Sequence, residues 1–577
     1  MVRSRSTNAG WAVAGVLAVA SAAMAVALPA GAAAAGCSVD YAVSSQWQGG
    51  FGADVAITNL GDPLSAWTLT WSYSAGQTVT QAWNTTLSQS GATVTAKNVG
   101  YNGAIATNGT VSFGFNGSWT GSNPSPTSFS LNGVACTGSA PTTPPTTVPT
   151  TPPTTAPTSP PTSGPATPPP AAPDITVNTA TKYQTIDGFG AAVSIWGSAW
   201  STAETQTLVG LGANQLGLSI VRTGVSPVSG EWPTQVSALK TAKSYGSGVK
   251  ILASPWTAPA AWKTNNSRIN GGSLKTDYYD DYASHLNSYV QYMRGQGVPI
   301  DVTSVQNEPD WAPAYDSMTW TGTQLRDFVR DQGAKVQNTK LMVAEAVNLN
   351  YGLTDPTLND AGARTNIGYI GGHLYGTEDA GRLKPYSLAG QYQKPVWMTE
   401  WNLHEAAGDT STAWADAGNK AVWDETLDGV MRTVGKSMES NWSAYVWWYG
   451  KRYYSFIGDG SAGTAAGAPL KRGYAFAQYA KYVRPGYQRI GLTKDARTSP
   501  LEVTAYQGGG KITLVILNRS TSAVTNAVVQ APQNVSKAEY YVTSQTASAA
   551  AQPAGVNGGQ VTVTVPARSI STVVLTL

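Results

Sequence analysis

The sequence predicts an α/β protein: a (β/α)8 TIM barrel with a fused side β-sandwich, preceded by a separate N-terminal all-β sandwich module. Three observations support this prediction. Eight apolar β-type runs alternate with amphipathic helical stretches between residues 186 and 488, and eight is the strand count of such a barrel. Residues 138–173 consist almost entirely of Pro, Thr, Ser and Ala and divide the chain. Short alternating strands without helical patterns fill residues 36–137 and 489–577, as is typical of all-β domains.

The first 35 residues have the pattern of a signal peptide. Arg3 and Arg5 precede an apolar run, and small residues lead to an A-x-A cleavage pattern that ends at Ala35. We therefore expect cleavage after Ala35 and a secreted, extracellular chain. No later run reaches the ~18–20 apolar residues of a membrane span, so no membrane partner is expected.

The low charge of the chain argues against a polyanionic partner. Charged residues make up 12% of the 577 residues and the net charge is +3, so neither nucleic acid nor an anionic membrane surface is indicated. The chain has 20 Trp and 27 Tyr against 8 Phe, and rings with a polar edge suit a hydrated, ring-shaped ligand. The alternative is a low-charge secreted protein with large cores. We expect a monomer without a cofactor.

The Pro/Thr-rich segment at residues 138–173 is predicted to be an extended linker, at ~3.1 Å per residue when fully extended. It separates a module at residues 36–137 from a larger region at residues 174–577. The two cysteines of the chain, Cys37 and Cys136, stand at the ends of that module. In an exported protein such a pair is predicted to form a disulfide, and two free buried thiols are the alternative.

The N-terminal module resembles carbohydrate-binding module family 2 in its length, its terminal cysteines and the motifs SSQWQGGF, WTLTW, QAWNTT, NVGYNGAI and FGFNGSWTG. The resemblance implies three exposed aromatic rings that form a flat strip and stack on sugar rings. The matching positions are Trp47, Trp83 and Tyr101, the last of which is more often Trp in that family. Gly49 and Gly50 beside Trp47 match the cellulose-binding branch of the family rather than its xylan-binding branch.

The alternative for these three rings is a place in the core of the module. Trp67 and Trp71 fit a core position better, because they lie within an apolar strand. We therefore expect the module to bind cellulose through the exposed strip.

The eight β-type runs of the larger region are the predicted barrel strands: IDGFGAAVSIW, LGLSIVRTG, VKILASPW, VTSVQNE, LMVAEA, IGYIGGHLYG, VWMTEW and AYVWWY. In this fold the active site lies at the C-terminal ends of the strands. Six of the runs have polar or aromatic residues at or near their ends: Arg222, Trp256, Glu308, Tyr375, Glu400 and Trp448. We assign the barrel to residues 186–488 and the side β-domain to residues 174–185 and 489–577. The early run ITVNTATKYQTI, which precedes the barrel, is expected to pair with the C-terminal strands.

Glu308 and Glu400 are the candidate catalytic pair. They end the fourth and seventh runs, about three βα units apart, and these strand ends face each other across a barrel mouth. Glycoside hydrolysis uses two carboxylates in this arrangement. Asn307 is placed to bind a sugar 2-hydroxyl, and Arg222 and Tyr375 are placed to keep Glu400 ionised. The alternative for either Glu is a solvated loop residue.

Residues 174–577 resemble glycoside hydrolase family 30 over nearly their whole length. The motifs are YQTIDGFGAA, NQLGLSIVR, ASPW, SVQNEPDW, GGHLYG, VWMTEW, YVWWYGKRYY and KRGYAFAQYAKYVRPGY, and they are most similar to subfamily 8, the bacterial glucuronoxylan endo-xylanases. The resemblance implies a retaining endo-1,4-β-xylanase that acts on xylan without a metal. It also implies that Glu308 is the acid/base and Glu400 the nucleophile.

In subfamily 8 a glucuronic acid branch of xylan is bound after strands 7 and 8. Trp448, Arg452 and Tyr454 match three of the binding positions, and an Arg fork can bind a carboxylate through two hydrogen bonds. Two positions depart from the family pattern, because Asn402 replaces the usual Tyr and Glu405 replaces the usual Ser. Glu405 can pair with Arg452 and repel the substrate carboxylate, so strict dependence on glucuronate is not expected.

Substrate binding in the barrel is thus predicted for Arg222, Trp256, Asn307, Tyr375, Trp448, Arg452 and Tyr454. Three alternatives remain open: a family 30 β-glucosidase or β-1,6-glucanase, a xylanase without a glucuronate requirement, and a binding protein that has lost catalysis. The presence of both Glu308 and Glu400 argues against the last of these.

Overall fold

The computed structural model describes residues 36–47, 49–100, 102–136, 172–193, 195–196, 199–246, 248–376 and 383–577. The predicted signal peptide, Tyr101 and nearly all of the predicted linker lie outside these ranges. The chain divides into two compact units, Met1–Ser163 and Gly164–Leu577, and each is described by itself. Within the described ranges, no helix combines the length and the apolarity that crossing a bilayer requires.

The N-terminal unit is an all-β sandwich. Its strands are β1 (Cys37–Trp47), β2 (Gly50–Asn59), β3 (Thr68–Ser72), β4 (Thr78–Trp83), β5 (Thr86–Ser90), β6 (Thr93–Lys97), β7 (Thr110–Ser118), β8 (Phe129–Leu131) and β9 (Val134–Ala135). One sheet has the order β1-β2-β7-β4 and the other has the order β5-β6-β3-β8-β9. Trp67 and Trp71 are buried in the core of the sandwich, as predicted. The predicted disulfide is confirmed: Cys37 and Cys136 are bonded, with their Cα atoms 4.6 Å apart.

The C-terminal unit contains the predicted barrel. After β10 (Ile175–Thr185) come β11 (Gly188–Ala192), β12 (Ile220–Val225), β13 (Lys250–Pro255), β14 (Val302–Ser304), β15 (Lys340–Ala346), β16 (Ile367–His373), β17 (Val396–Glu400) and β18 (Ala444–Tyr449). Strands β11 to β18 pair in parallel, and β18 returns to β11 to close the barrel. Each of the eight predicted runs overlaps one of these strands, so the predicted strand count is confirmed.

Helices follow the barrel strands in alternation. They are α1 (Thr202–Val209), α2 (Val236–Lys243), α3 (Tyr279–Gly295), α4 (Gly322–Gln332), α5 (Asp355–Asn359), α6 (Ala361–Asn366), α7 (Ser387–Gln391), α8 (Lys420–Asp424), α9 (Arg432–Glu439) and α10 (Lys471–Ala480). A π-helical segment, Glu425–Met431, joins α8 to α9. Helix α4 begins at a capping box, in which the side chains of Thr321 and Gln324 each accept a backbone N–H of the other.

The side domain is built from both ends of the C-terminal unit. Its further strands are β19 (Gln488–Lys494), β20 (Glu502–Gly508), β21 (Lys511–Asn518), β22 (Val524–Gln530), β23 (Lys537–Ser544), β24 (Ala550–Gln552), β25 (Gly555–Asn557), β26 (Gln560–Val565) and β27 (Ser569–Thr576). Strand β10 lies between β19 and β22, which confirms the predicted pairing of the early run with C-terminal strands. Val542 of β23 and Val563 of β26 share one hydrophobic core, so the sheet folds over on itself. Helix α10 packs on this domain, where Gln478 Nε2 donates to Thr543 Oγ1 at 2.8 Å.

Candidate active site

Glu308 and Glu400 lie at the carboxyl-terminal mouth of the barrel. Glu400 is the last residue of β17, as predicted. Glu308 does not end a strand, because β14 stops at Ser304. Glu308 instead lies on the following loop in the left-handed region, with φ of 47°, and its N–H donates to the carbonyl of Glu345 at 3.0 Å. The two residues are nearly buried, with relative exposures of 6% and 5%.

The two carboxylates are close enough to act on one bond. A carboxylate oxygen of Glu308, one of Glu400 and a ring nitrogen of His373 all lie within 4.8 Å of one another. Carboxyl groups about 5–5.5 Å apart perform displacement with retention, whereas about 6.5–9.5 Å leaves room for water between them. The same three groups could ligate a cation. However, the guanidinium of Arg222 lies 2.6 Å from Glu400, and this fixed positive charge disfavours a second cation in the same buried space.

Glu400 is held by two fixed donors. Arg222 Nη1 lies 2.6 Å from one carboxylate oxygen, and the hydroxyl of Tyr375 donates to the other at 2.9 Å. Asn402 Nδ2 in turn donates to the Tyr375 oxygen at 3.1 Å. Burial raises the pKa of Glu400 above its ordinary value, the charges of His373 and Arg222 oppose that rise, and the charge of Glu308 adds to it. The donors therefore counteract the effect of burial and favour the ionised form.

Arg222 connects the predicted residues of the barrel mouth. It lies within β12, is fully buried, and donates through Nη2 to Asn307 Oδ1 at 2.5 Å and through Nε to Ser254 Oγ at 3.1 Å. Its guanidinium carbon stands 4.8 Å from the ring centre of Trp256. Because the oxygen of Asn307 is engaged by Arg222, the amide nitrogen of Asn307 is the group left to face a ligand.

Two charged residues of this site were missed by the sequence reasoning. His373 Nδ1 lies 3.1 Å from Glu308 Oε1, and Glu345 Oε1 lies 3.1 Å from Arg222 Nη2 and 3.8 Å from His373 Nε2. Burial lowers the pKa of His373, but Glu400 and the contacts with Glu308 and Glu345 raise it more, to about 9. A signal was available: Glu345 falls near the end of the run LMVAEA, as Glu400 falls near the end of VWMTEW.

Aromatic rings form one wall of the mouth. Trp256 is buried and Trp448 is half-buried, and their ring centres are 6.1 Å apart. Trp196, which is 46% exposed, stands 5.6 Å from Trp256, and Tyr315 stands 5.5 Å from Trp196. Burial raises the pKa of Tyr315, and the charges of Glu308 and Glu400 add to that rise. Trp196 and Tyr315 were also missed. Tyr315 lies on a loop without a periodic pattern, whereas Trp196 ends the predicted run IDGFGAAVSIW, so a signal for it was available.

Of the three residues predicted to bind a branch, Trp448 lies within β18, and Arg452 and Tyr454 follow that strand. Tyr454 is buried and stacks on His404 with ring centres 4.4 Å apart. Arg452 has a half-exposed side chain, and its Nη1 lies 3.9 Å from Asp459 Oδ2. Within the described residues the ion-pair partner of Arg452 is Asp459, which the loop after β18 brings to it, rather than Glu405, which the sequence offered as one partner.

A buried ion pair fixes this part of the mouth. Arg472 of α10 lies 2.6 Å from Glu425 and also donates to the carbonyls of Leu403 and Tyr454 at 2.6 and 2.8 Å. Glu425 accepts the backbone N–H of Glu405 at 2.6 Å, and it opens the π-helical segment, a distortion that often marks functional sites. The loop after β17 is thus held by α10.

In the N-terminal unit, Trp83 is a ring on the sheet surface. It is 43% exposed at the end of β4 and pairs with Gly114 of β7. A Cβ at Gly114 would come within 2.5 Å of the Trp83 ring, so the ring lies directly over this glycine. Trp47 pairs with Gly50 at the end of β1, but its side chain and Tyr101 lie outside the described part of the unit.

Comparisons with known proteins agree with this architecture. Residues 37–136 match the family described as Cellulose binding domain, residues 229–424 match the Glycosyl hydrolase family 30 TIM-barrel domain, and residues 486–573 match the Glycosyl hydrolase family 30 beta sandwich domain. Endoglucanase CelA of Streptomyces lividans is 54% identical over 122 residues, which are 21% of this chain and 26% of that protein.

The larger region has relatives over its full length. The glycoside hydrolase family 30 subfamily 8 xylanase Xyn30A of Clostridium acetobutylicum has a solved structure that superposes with a TM-score of 0.61 at 33% identity, covering 70% of this chain and 100% of that one. Glucuronoxylanase XynC of Bacillus subtilis (strain 168) is 34% identical over 413 residues, which are 70% of this chain and 92% of that protein. With this extent of likeness and both of its domain types, the chain belongs to glycoside hydrolase family 30.

Proposed function

We propose that this glycoside hydrolase is a secreted, retaining endo-1,4-β-xylanase that cleaves xylan and is held on cellulose by its N-terminal module. The observation that supports the chemistry most directly is the approach of Glu308 and Glu400 to within 4.8 Å at the barrel mouth. The substrate is inferred from relatives that are named glucuronoxylanase and xylanase. Secretion rests on the sequence pattern of residues 1–35.

Glu400 is the nucleophile in this proposal, because fixed donors hold its negative charge. Arg222 and Tyr375 contact its two oxygens at 2.6 and 2.9 Å. Two carboxylates this close share a proton rather than both ionise. The role that carries the proton is therefore assigned to Glu308, which contacts the side chain of His373 at 3.1 Å rather than a guanidinium. Glu308 is the acid/base.

The reaction follows from these two assigned roles. An oxygen of Glu400 bonds to the anomeric carbon, the glycosidic C–O bond breaks, and the proton of Glu308 moves to the leaving oxygen. Glu308 then takes a proton from water, the water oxygen bonds to the anomeric carbon, and the bond to Glu400 breaks. Two inversions give net retention. The amide nitrogen of Asn307 is the proposed donor for a sugar 2-hydroxyl, and the rings of Trp256 and Trp448 support stacking on xylose units.

Catalytic roles are tested by single substitutions. Glu400→Gln should abolish measurable turnover of glucuronoxylan, and Glu308→Gln should lower kcat by about 10²–10⁴-fold, the usual contribution of general acid–base catalysis. The surface substitution Glu439→Gln, on α9, is the control. Proton NMR of the first product should show the β-anomer before mutarotation. A near-wild-type rate in either active-site variant, or the α-anomer as first product, would contradict these roles.

The branch preference is proposed to be real but modest. Arg452 offers a guanidinium fork to a glucuronate carboxylate, but it is half exposed and Asp459 competes for it at 3.9 Å. A charge-assisted hydrogen bond contributes about 1.5–3 kcal/mol, and partial exposure places Arg452 at the lower end, roughly tenfold in rate.

Three substrates distinguish the candidate functions. Arg452→Ala should lower activity on glucuronoxylan about tenfold and leave unbranched arabinoxylan nearly unchanged, while Arg330→Ala on α4 should change neither. Equal wild-type rates on both xylans would indicate a xylanase that does not read the branch. Turnover of β-1,6-glucan in place of xylan would refute the proposed substrate.

A further inference from the structure

Glu345 occupies an unusual position beneath the catalytic carboxylates. It is fully buried near the end of β15, where the pairing with β16 shifts between Ala344 and Ala346. Ala344 and Glu345 both adopt left-handed backbone, with φ of 86° and 41°. Such strain in residues with a Cβ persists only where surrounding contacts fix it, and it concentrates at functional sites.

The backbone around Glu345 ties the site together. The carbonyl of Glu345 accepts the N–H of Glu308 at 3.0 Å, and the carbonyl of Val347 accepts the N–H of Tyr375 at 3.1 Å. The neighbouring strand leaves room for the side chain, because a Cβ at Gly371 would come within 2.7 Å of Glu345 Cγ. The segment 345–347 therefore positions both Glu308, the proposed acid/base, and Tyr375, the hydrogen-bond donor to Glu400.

The carboxylate of Glu345 faces the two cations of the site. Its Oε1 lies 3.1 Å from Arg222 Nη2 and 3.8 Å from His373 Nε2. His373 Nε2 makes no hydrogen bond within the described residues, so the charge of Glu345 is its nearest polar neighbour there. The other groups that act on the His373 ring are the carboxylates of Glu308 and Glu400, with the Tyr375 ring 6.1 Å away.

We propose that Glu345 is a positioning residue that holds Arg222 and His373 as cations, so that the buried site always accommodates one mobile negative charge. This inference rests on the proposed function. The fixed charges are then one anion and two cations, a net +1. The mobile charge is on Glu400 before the glycosyl bond to it forms, and on Glu308 after Glu308 has given up its proton. The site is neutral in both states.

Removal of the Glu345 charge would leave two buried cations facing one mobile anion. His373 is the cation that can release a proton. After that release, one of its ring nitrogens would no longer carry an N–H that faces a neighbouring carboxylate. The electrostatics agree with this assignment. Burial raises the pKa of Glu345, but Arg222 and His373 lower it to about 2, and the contact with Glu345 is among the causes that raise the pKa of His373 to about 9.

Histidine NMR on the full-length protein tests the proposal without substrate. The sequence has 3 His, namely His285, His373 and His404, so three labelled side-chain signals can be assigned with single His→Gln variants. His373 should titrate near pH 9 in the wild type. Glu345→Gln should lower its titration midpoint by about 1–3 pH units, the usual effect of one adjacent charge. The alkaline limb of kcat/KM on xylan should move down with it.

Two further variants separate charge from packing. Glu345→Asp keeps the charge and should stay closer to wild type than Glu345→Gln in both readouts. Asp187→Asn removes another partly buried carboxylate, bonded to Lys250 and Trp397 before β11, and should leave the His373 midpoint unchanged. If Glu345→Gln does not fold, the proposal is decided by the His373 titration midpoints of the wild type and of Glu345→Asp.

Three results would overturn the proposal. These are a wild-type His373 midpoint at or below its ordinary value, an unmoved midpoint in Glu345→Gln, and an equal shift in the Asp and Gln variants. Since the titration needs no turnover, failure of the xylanase assignment would appear separately, as a wild-type protein that does not cleave xylan.

Discussion

Tyr375 supplies the hydroxyl that holds one oxygen of Glu400, and Tyr375→Phe removes that hydroxyl while keeping the ring. The bond measures 2.9 Å, and Asn402 orients the hydroxyl by donating to it at 3.1 Å. The ring is half-buried beside His373, so the variant is expected to fold. What changes is the stabilisation of the negative charge on Glu400.

The magnitude follows from the type of bond. A hydrogen bond to a charged group contributes about 1.5–3 kcal/mol, and one pKa unit corresponds to about 1.36 kcal/mol. Burial already raises the pKa of Glu400, and loss of a donor to the ionised form raises it further. Activity that requires ionised Glu400 is lost as the pH falls through that pKa. The acid limb of the pH–rate profile should therefore move to higher pH.

The assay is kcat/KM on soluble glucuronoxylan across the pH range. Below the acid limb, Tyr375→Phe should be about 10- to 100-fold slower than wild type, and part of the loss should recover as the pH rises. Tyr540→Phe is the matched control, since the Tyr540 hydroxyl donates to the Thr564 carbonyl at 2.9 Å within the side domain. An acid limb that stays in place in Tyr375→Phe would refute the role of this hydroxyl in holding the charge of Glu400.

Three other predictions concern the binding module and the barrel. Replacing both cysteines with Ser opens a disulfide with a sequence separation of 99 and should lower the free energy of unfolding of the module by up to about 4–5 kcal/mol. Calorimetry should show a lower Tm for the module and an unchanged Tm for the catalytic unit, and an unchanged Tm of the module would contradict this. Trp83→Ala should weaken pull-down of the protein on insoluble cellulose, since the exposed ring is lost from the sheet surface, and full binding would exclude Trp83 from the strip. Gly371→Ala places a methyl group within 2.7 Å of Glu345 and should lower the free energy of unfolding by about 1–3 kcal/mol, seen as a lower Tm and lower activity. The control Gly390→Ala, whose methyl group meets nothing within 4 Å, should change neither.

Local patterns in the sequence were sufficient for the architecture. The alternation of apolar runs with amphipathic helices predicted all eight barrel strands, and the cysteine pair predicted the disulfide. The side domain was predicted from its short alternating strands, including the pairing of the early run with C-terminal strands. These features depend on side-chain periodicity within a segment, which the sequence displays directly.

The details of the candidate site depended on contacts between distant segments. Arg222 and Glu400 are 178 residues apart in sequence and 2.6 Å apart in space. The conformation of Glu308 beyond β14, and the contact of Arg452 with Asp459 rather than Glu405, are set by loops whose course no periodicity encodes.

The sequence by itself determined which elements form and which two carboxylates stand at the barrel mouth, because hydrophobic periodicity and position along a strand are local properties. Only the tertiary structure decided how those carboxylates are charged. Their protonation depends on burial and on the distances to Arg222, His373 and Glu345, which come from three other strands. Coulomb interactions in a buried site act across space rather than along the chain, so they exist only once the barrel has closed.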